Sequence, residues 1–312
     1  MSDISNPVIG HFNHRYQLIG DWSQSDITRF PVKDCHEMVI DSRGRIFLLT
    51  NETKNNILIY NKDGRLLDTW GTEYPGGHGL SLHDEYLFIC DHDRHQVIKT
   101  DLKGRVLMII DYPKETGVYD SAEQFKPTET AIAANGDIYI TDGYGLQYVI
   151  QYNEKGEYIR HWGGKGNQFD CVHGIVVDER TAQQPSLLIT SRNHNCFRRF
   201  TMDGHYIETI SLPGSFVCRP VIKGNLLYAA VFRSGANTNF GSGYITILDE
   251  NNKVISTPGG TAPVYKGDEL LPQQQQEKVF IHPHDVCIDD DENIYVCQWN
   301  SGKTYPVKLE RI

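Results

Sequence analysis

The sequence predicts an all-β fold, a closed ring built from repeated four-stranded units. Three observations carry that prediction. The chain returns six times to one pattern: a short apolar strand, a polar turn and a second strand of IYV type. Turn signatures of the form NKDG, DLKG, NEKG and TMDG recur at matching places between a third and a fourth strand. The composition, with 28 Gly and 17 Tyr but only 4 Met, suits many short strands and tight turns.

The units can be read in order. The first is CHEMVIDSRGRIFLLTNETKNNILIYNKDGRLLDTWG, from Cys35. The second is GHGLSLHDEYLFICDHDRHQVIKTDLKGRVLMII, from Gly77. PTETAIAANGDIYITDGYGLQYVIQYNEKGEYIRHWG follows from Pro127, and VHGIVVDERTAQQPSLLITSRNHNCFRRFTMDGHYIETI from Val172. The fifth runs through CRPVIKGNLLYAAVFRSG and GYITILDENNKVIST, and the sixth through PHDVCIDDDENIYVCQWNSGKTYPVKLERI. The repeats start near residues 36, 78, 128, 173, 219 and 284, which lie 42 to 65 residues apart. A four-stranded unit recurring at roughly 40–50 residues is the signature of a β-propeller. The expected architecture is therefore a six-bladed β-propeller, a single domain over residues 1–312. A pair of β-sandwiches or a β-helix is the alternative. The last unit lacks a fourth strand before Ile312. YQLIGDW, residues 16–22, resembles the fourth strands LLDTWG and YIRHWG. The N-terminal strand is therefore expected to close the last blade and leave no open edge at the seam.

Composition narrows function. The net charge of −10 argues against a nucleic-acid partner, which needs a basic excess. No apolar run reaches the roughly 18–20 residues of a membrane span. The N-terminus lacks the basic and apolar regions of a signal peptide. The seven cysteines are scattered, with no CxxC pair. They read as reduced thiols, and the expected location is cytoplasmic.

In a propeller the innermost strand of each blade lines the central channel, so equivalent residues converge on one axis. The aligned residues are His36, His78, Thr128, His173, Arg219 or Pro220, and His284. Blades 2, 4 and 6 sit about a third of a turn apart, so His78, His173 and His284 can form a trigonal face for a metal. Three protein ligands plus an open position is the catalytic form of zinc coordination. The bland alternative is that these imidazoles cap strand ends or hydrogen-bond in a wet channel. His282 shares a face with His284 if the segment is extended, and either lines the pocket or ends the strand. Asp285 points the other way, toward an oxygen-only site for a hard cation such as calcium or toward a turn. The remaining histidines, among them His92, fall in turns or outer strands and receive no role.

At these residues a family becomes visible. The blades look like NHL repeats. More closely, the chain resembles the peptidyl-α-hydroxyglycine α-amidating lyases, from about Cys35 onward. The segments that carry the likeness are HGLSLHDEYLFICDHDRHQVIKTD, PTETAIAANGDIYITDGYG, VHGIVVD with ITSRNHN, and PHDVCIDDDENIYV. The resemblance implies catalytic zinc on His78, His173 and His284. It implies Tyr144 as the proton-transfer residue near the zinc. It also implies structural calcium on Asp285 and the carbonyls of Met38 and Leu80, and Arg192 as the match to a family arginine.

Three positions depart from the family. Asn51 stands where the family has a catalytic arginine. Gly145 replaces its disulfide cysteine, and His282 replaces the Met before the third zinc histidine. His36 has no zinc counterpart there. His36, His282 and Arg192 are candidates for acid and anion-binding roles. The expected activity is that of a zinc-dependent lyase cleaving a carbinolamide-like C–N bond in a small or short peptide-like polar substrate. The alternatives are a non-catalytic binding propeller and a metal-dependent hydrolase or lactonase.

Overall fold

The computed structural model describes residues 6–166, 168–180, 184–235 and 240–312. The first five residues of the segment read for a targeting signal lie outside them. The chain is a six-bladed β-propeller with almost no helix. Blade 1 consists of Cys35–Ile40, Ile46–Thr50, Ile57–Tyr60 and Leu66–Trp70, each antiparallel to the next. Blade 2 begins with Gly77–His83, blade 3 with Glu129–Ile132, blade 4 with Val172–Asp178 and blade 5 with Ser215–Lys223. In blade 6 the order from the axis outward is Pro283–Ile288, Ile294–Gln298, Val307–Arg311, His14–Ile19 and Val8–His11. No helix among the described residues is long and apolar enough to cross a membrane.

The turn chemistry is explicit. Asp41 Oδ1 accepts the backbone N–H groups of Arg43 and Arg45. Asn61, Asp101, Asn153, Asp249 and Asp289 repeat the same two-bond pattern in their own turns. An Asx side chain thus stands in for a backbone acceptor and fixes the hairpin register. At Gly64 the backbone takes φ +83°, and a Cβ would fall 1.8 Å from the Trp22 carbonyl oxygen, so only glycine fits.

Packing energy lies between blades. Among the described residues six apolar clusters are present, and each joins two neighbouring blades. The alternation of residues along each middle strand supplies apolar side chains to both neighbouring blades, which is why these strands read as near-continuous apolar runs.

The seam is closed as expected, with shifted bounds and one addition. The closing strand is His14–Ile19 rather than 16–22, and it pairs Tyr16 with Arg311 and Leu18 with Leu309. A fifth strand, Val8–His11, lies outside it. Trp22 leaves the strand, donates its indole N–H to the Lys62 carbonyl at 2.9 Å, and packs between Tyr60 and Tyr295. It thereby ties blade 6 to blade 1. Leu309 is fully buried at this seam. Leu309→Ala is expected to lower the urea midpoint by the equivalent of about 2–5 kcal/mol. A shift below about 1 kcal/mol would show that closure contributes little to stability.

Candidate metal centre

Five inner strands, and in blade 3 the residue just before the strand, bring one residue each to the same register. Those residues are His36, His78, Thr128, His173, Cys218 and His284. The pairing of the inner strand slips at this place in blades 1, 2, 4, 5 and 6. A bulge re-aims a side chain that a regular strand would point elsewhere. In blade 5 the residue at this height is Cys218, not Arg219 or Pro220. Its thiol comes within reach of His173 and His284.

The four imidazoles form one cluster and are nearly fully buried. Ring centroids of His78, His173 and His284 lie 4.8–5.0 Å apart. His36 sits 4.8 Å from His78 and 5.0 Å from His284. One ligand atom from each of His36, His78 and His284 falls within 4.8 Å of the others, and the same holds for His173, Cys218 and His284. His284 belongs to both sets.

Backbone carbonyls set the tautomers. His78 Nδ1 donates to the Thr128 carbonyl at 2.9 Å, and His284 Nδ1 donates to the His36 carbonyl at 2.9 Å. A carbonyl can only accept, so Nε2 of both rings carries the lone pair and faces the cluster. Tyr144 reaches in from the third blade. Its hydroxyl lies 3.0 Å from His78 Nε2 and 3.1 Å from His173 Nε2. Tyr144 keeps 40% of its surface exposed, so it lines the mouth of the channel while its hydroxyl end lies among the imidazoles.

Burial is the main cause holding His78, His173 and His284 well below the ordinary imidazole value; the neighbouring imidazoles, and for His173 and His284 the Arg192 guanidinium, add to it. His36 is pushed down to about 3, again chiefly by burial. Burial raises the Tyr144 phenol, against the pull of the Arg192 guanidinium. The donor layer is therefore neutral.

The donor set fits a transition-metal ion. It offers neutral imidazoles with oriented Nε2 lone pairs and one thiol. Nδ1 and Nε2 of His36 and Nδ1 of His173 are buried without a hydrogen-bond partner. Imidazole and thiol donors select zinc-like ions over calcium or magnesium.

One residue further along each inner strand the chemistry changes. Glu37, Gly79, Glu129, Gly174, Arg219 and Asp285 follow the first layer. The groups that the family resemblance implies for calcium do converge here, but the residues do not fit that ion, because they already hold a guanidinium. Arg219 Nε and Nη2 bind the Asp285 carboxylate at 3.1 and 2.7 Å. Nη1 donates to the Leu80 carbonyl at 2.9 Å and Nη2 to the Met38 carbonyl at 3.0 Å. Beyond this layer a cavity of about 520 Å³ opens at the other end of the channel, lined in part by Ser81, Thr130, Pro220 and Cys287.

The other candidates divide. Arg192 is buried beside the cluster, donates to Cys218 Sγ at 3.2 Å and lies 4.5 Å over the Phe232 ring. Asn51 bonds within its own blade. Its amide oxygen accepts the Asp34 N–H at 3.0 Å. His282 accepts from Gly241 N at 2.9 Å, donates to the Asn300 carbonyl at 3.3 Å, and packs among Phe232, Phe240 and Trp299. It braces a loop. The sequence reading gave no role to His92, yet its ring lies 6.0 Å from His78 and 5.9 Å from Tyr144. The signal was its place in DHDRH, directly after an inner-facing second strand. Removing the His282 ring should cost about 1–3 kcal/mol, because buried partners lose their bonds. His282→Ala should leave zinc uptake, read by elemental analysis, unchanged; lost uptake would place His282 among the ligands.

No family model matches the chain. It is 30% identical over 112 residues to a probable peptidyl-alpha-hydroxyglycine alpha-amidating lyase of Caenorhabditis elegans, covering 35% of this chain and 31% of that one. It is 32% identical over 108 residues to peptidyl-alpha-hydroxyglycine alpha-amidating lyase 1 of Drosophila melanogaster, covering 32% and 19%. Against the peptidylglycine alpha-amidating monooxygenase of Rattus norvegicus the identity is 26% over 230 residues, covering 70% and 22%. The matches span under a third of these relatives' lengths. Among solved structures, a streptogramin B lyase superposes with TM-score 0.62 at 13% identity, covering 97% and 98% of the two chains. A gluconolactonase from Xanthomonas campestris gives TM-score 0.62 at 12% identity, covering 99% and 98%. At such identities these structures show the fold alone. Taken with the geometry, the chain is a six-bladed propeller similar to the peptidyl-α-hydroxyglycine α-amidating lyases.

Proposed function

We propose that the chain is a zinc-dependent lyase that splits a carbinolamide, N–C(OH), into an amide and an aldehyde. The observation that carries this reading is the buried, neutral imidazole layer with the Tyr144 hydroxyl lodged against His78 and His173. His78, His173 and His284 would hold the ion, and bound zinc supplies Lewis acidity toward the substrate hydroxyl.

In the reaction the C–N bond breaks and the hydroxyl oxygen forms a carbonyl. The hydroxyl loses a proton and the leaving nitrogen gains one. Tyr144, with its hydroxyl against His78 and His173, would meet both atoms of a substrate held at the zinc. It is the residue that moves the proton. Arg192 holds a fixed positive charge next to Tyr144 and favours negative charge on that oxygen. Where the family has a catalytic arginine this chain has Asn51, which bonds Asp34, so no guanidinium from that position reaches the far end of a substrate. The substrate is accordingly a small or short peptide-like polar carbinolamide, and a peptidyl-α-hydroxyglycine is cleaved less efficiently. The missing charged hydrogen bond, about 1.5–3 kcal/mol, corresponds to roughly 10–100-fold.

The test is aldehyde release from a panel of α-hydroxyglycine derivatives, with metal content measured in parallel. Cleavage should vanish after chelation and return with zinc, and His173→Ala should purify without the ion. Cleavage that persists in metal-free protein, or a chain that takes up no zinc, contradicts the reading. A second expectation concerns Tyr144→Phe. It should keep zinc and fold while losing about 10²–10⁴-fold in turnover. Turnover within about twofold of wild type would remove Tyr144 from proton transfer, since such groups typically contribute far more.

A further inference from the structure

The layer below the imidazoles poses an electrostatic problem. Glu37, Glu129 and Asp285 bring three carboxyl groups to the axis, all fully buried. Such a layer needs a cation. The family resemblance implies calcium, and this chain supplies a side chain instead.

We propose that Arg219 is a built-in replacement for a structural calcium ion, so that this propeller holds its axis together without that metal. The guanidinium engages the three groups that would have been the ion's ligands, Asp285 and the carbonyls of Met38 and Leu80. It also lies 3.7 Å from Glu37 and 3.6 Å from Glu129. One side chain of blade 5 thereby bonds blades 1, 2 and 6 and faces a carboxylate of blade 3. A calcium ion makes the same kind of cross-tie with six to eight oxygens, and a guanidinium already bonded to those oxygens opposes its entry by charge repulsion and by filling the space. Arginine suits the task and lysine does not, because a planar fork of five donors reaches a carboxylate and two separate carbonyls at once.

The surrounding sequence accommodates the swap. Gly174, the blade 4 residue of this layer, has no side chain, and a Cβ there would fall 2.6 Å from Arg219 Cα. Glu37 is anchored independently, accepting the Leu80 N–H at 2.5 Å, so it stays in the layer as a counter-charge. Glu129 is likewise fixed, by Ser81 Oγ and the Thr130 N–H. The proposal does not rest on the zinc reading, which concerns the layer above.

The experiment uses the full chain. Calcium content is measured by elemental analysis, and thermal unfolding is followed with calcium chloride or with EGTA. The wild type should carry no stoichiometric calcium, and its Tm should be the same in both buffers. Arg219→Ala leaves the carboxylates uncompensated. Its Tm should fall, and added calcium should restore part of the loss by filling the vacated oxygen cage. Stoichiometric calcium in the wild type, or a wild-type Tm that falls on chelation, overturns the proposal. A folded Arg219→Ala variant with unchanged Tm does so too. If that variant does not fold, the wild-type calcium content and chelator response still decide.

Discussion

Six inner strands share one axis, and that constraint governs everything at the centre of the molecule. Residues that lie far apart in sequence are forced to within about 5 Å of one another wherever their register coincides. The ring is held closed by apolar clusters between every pair of blades and by the strand His14–Ile19 at the seam. Because the inner strands pack against one another, the imidazoles, carboxylates and guanidinium at the axis are buried. Each layer must therefore find its own electrostatic solution. The imidazoles stay neutral, and the carboxylates surround a guanidinium.

The two layers sort donors by hardness. Above are imidazoles and a thiol, which suit a borderline transition-metal ion. Below are carboxylates and carbonyls, which suit a hard cation or an arginine. The change takes a single residue step, from His284 to Asp285 and from Cys218 to Arg219. Successive residues of an extended strand point in opposite directions, but the register slips in these strands let neighbours both serve the axis. The carbonyls add a link between the layers. The His36 carbonyl orients His284, and two residues further along the same strand the Met38 carbonyl, together with that of Leu80 in blade 2, holds Arg219.

Much of this was legible in the sequence. The blade pattern shows because turn chemistry is local: an Asp or Asn that caps its own hairpin leaves the same mark in each repeat. His36, His78, His173 and His284 were placed at one height because their flanking segments align. The rest depended on geometry that periodicity does not encode. Blade 5 was aligned on Arg219 or Pro220, since CRPVI carries no histidine and its strand slips register before Pro220. That concealed both Cys218 in the upper layer and the role of Arg219 in the lower one. In the sequence His92 reads as a turn residue, although the turn folds it toward Tyr144. Asn51 and His282 lay at suggestive positions in the alignment, but their hydrogen bonds are spent on Asp34, Gly241 and Asn300.

The account's central claim is that the axis carries a metal centre in the imidazole layer directly above an arginine-filled oxygen layer. Anomalous diffraction at the zinc absorption edge, from crystals of protein purified in zinc-containing medium, addresses both halves at once. The account predicts one zinc peak in contact with His78, His173 and His284, with the Arg219 guanidinium in place against Asp285 below it. The absence of any peak among the histidines, or an ion standing between Asp285 and the carbonyls of Met38 and Leu80 with Arg219 turned away, would contradict it.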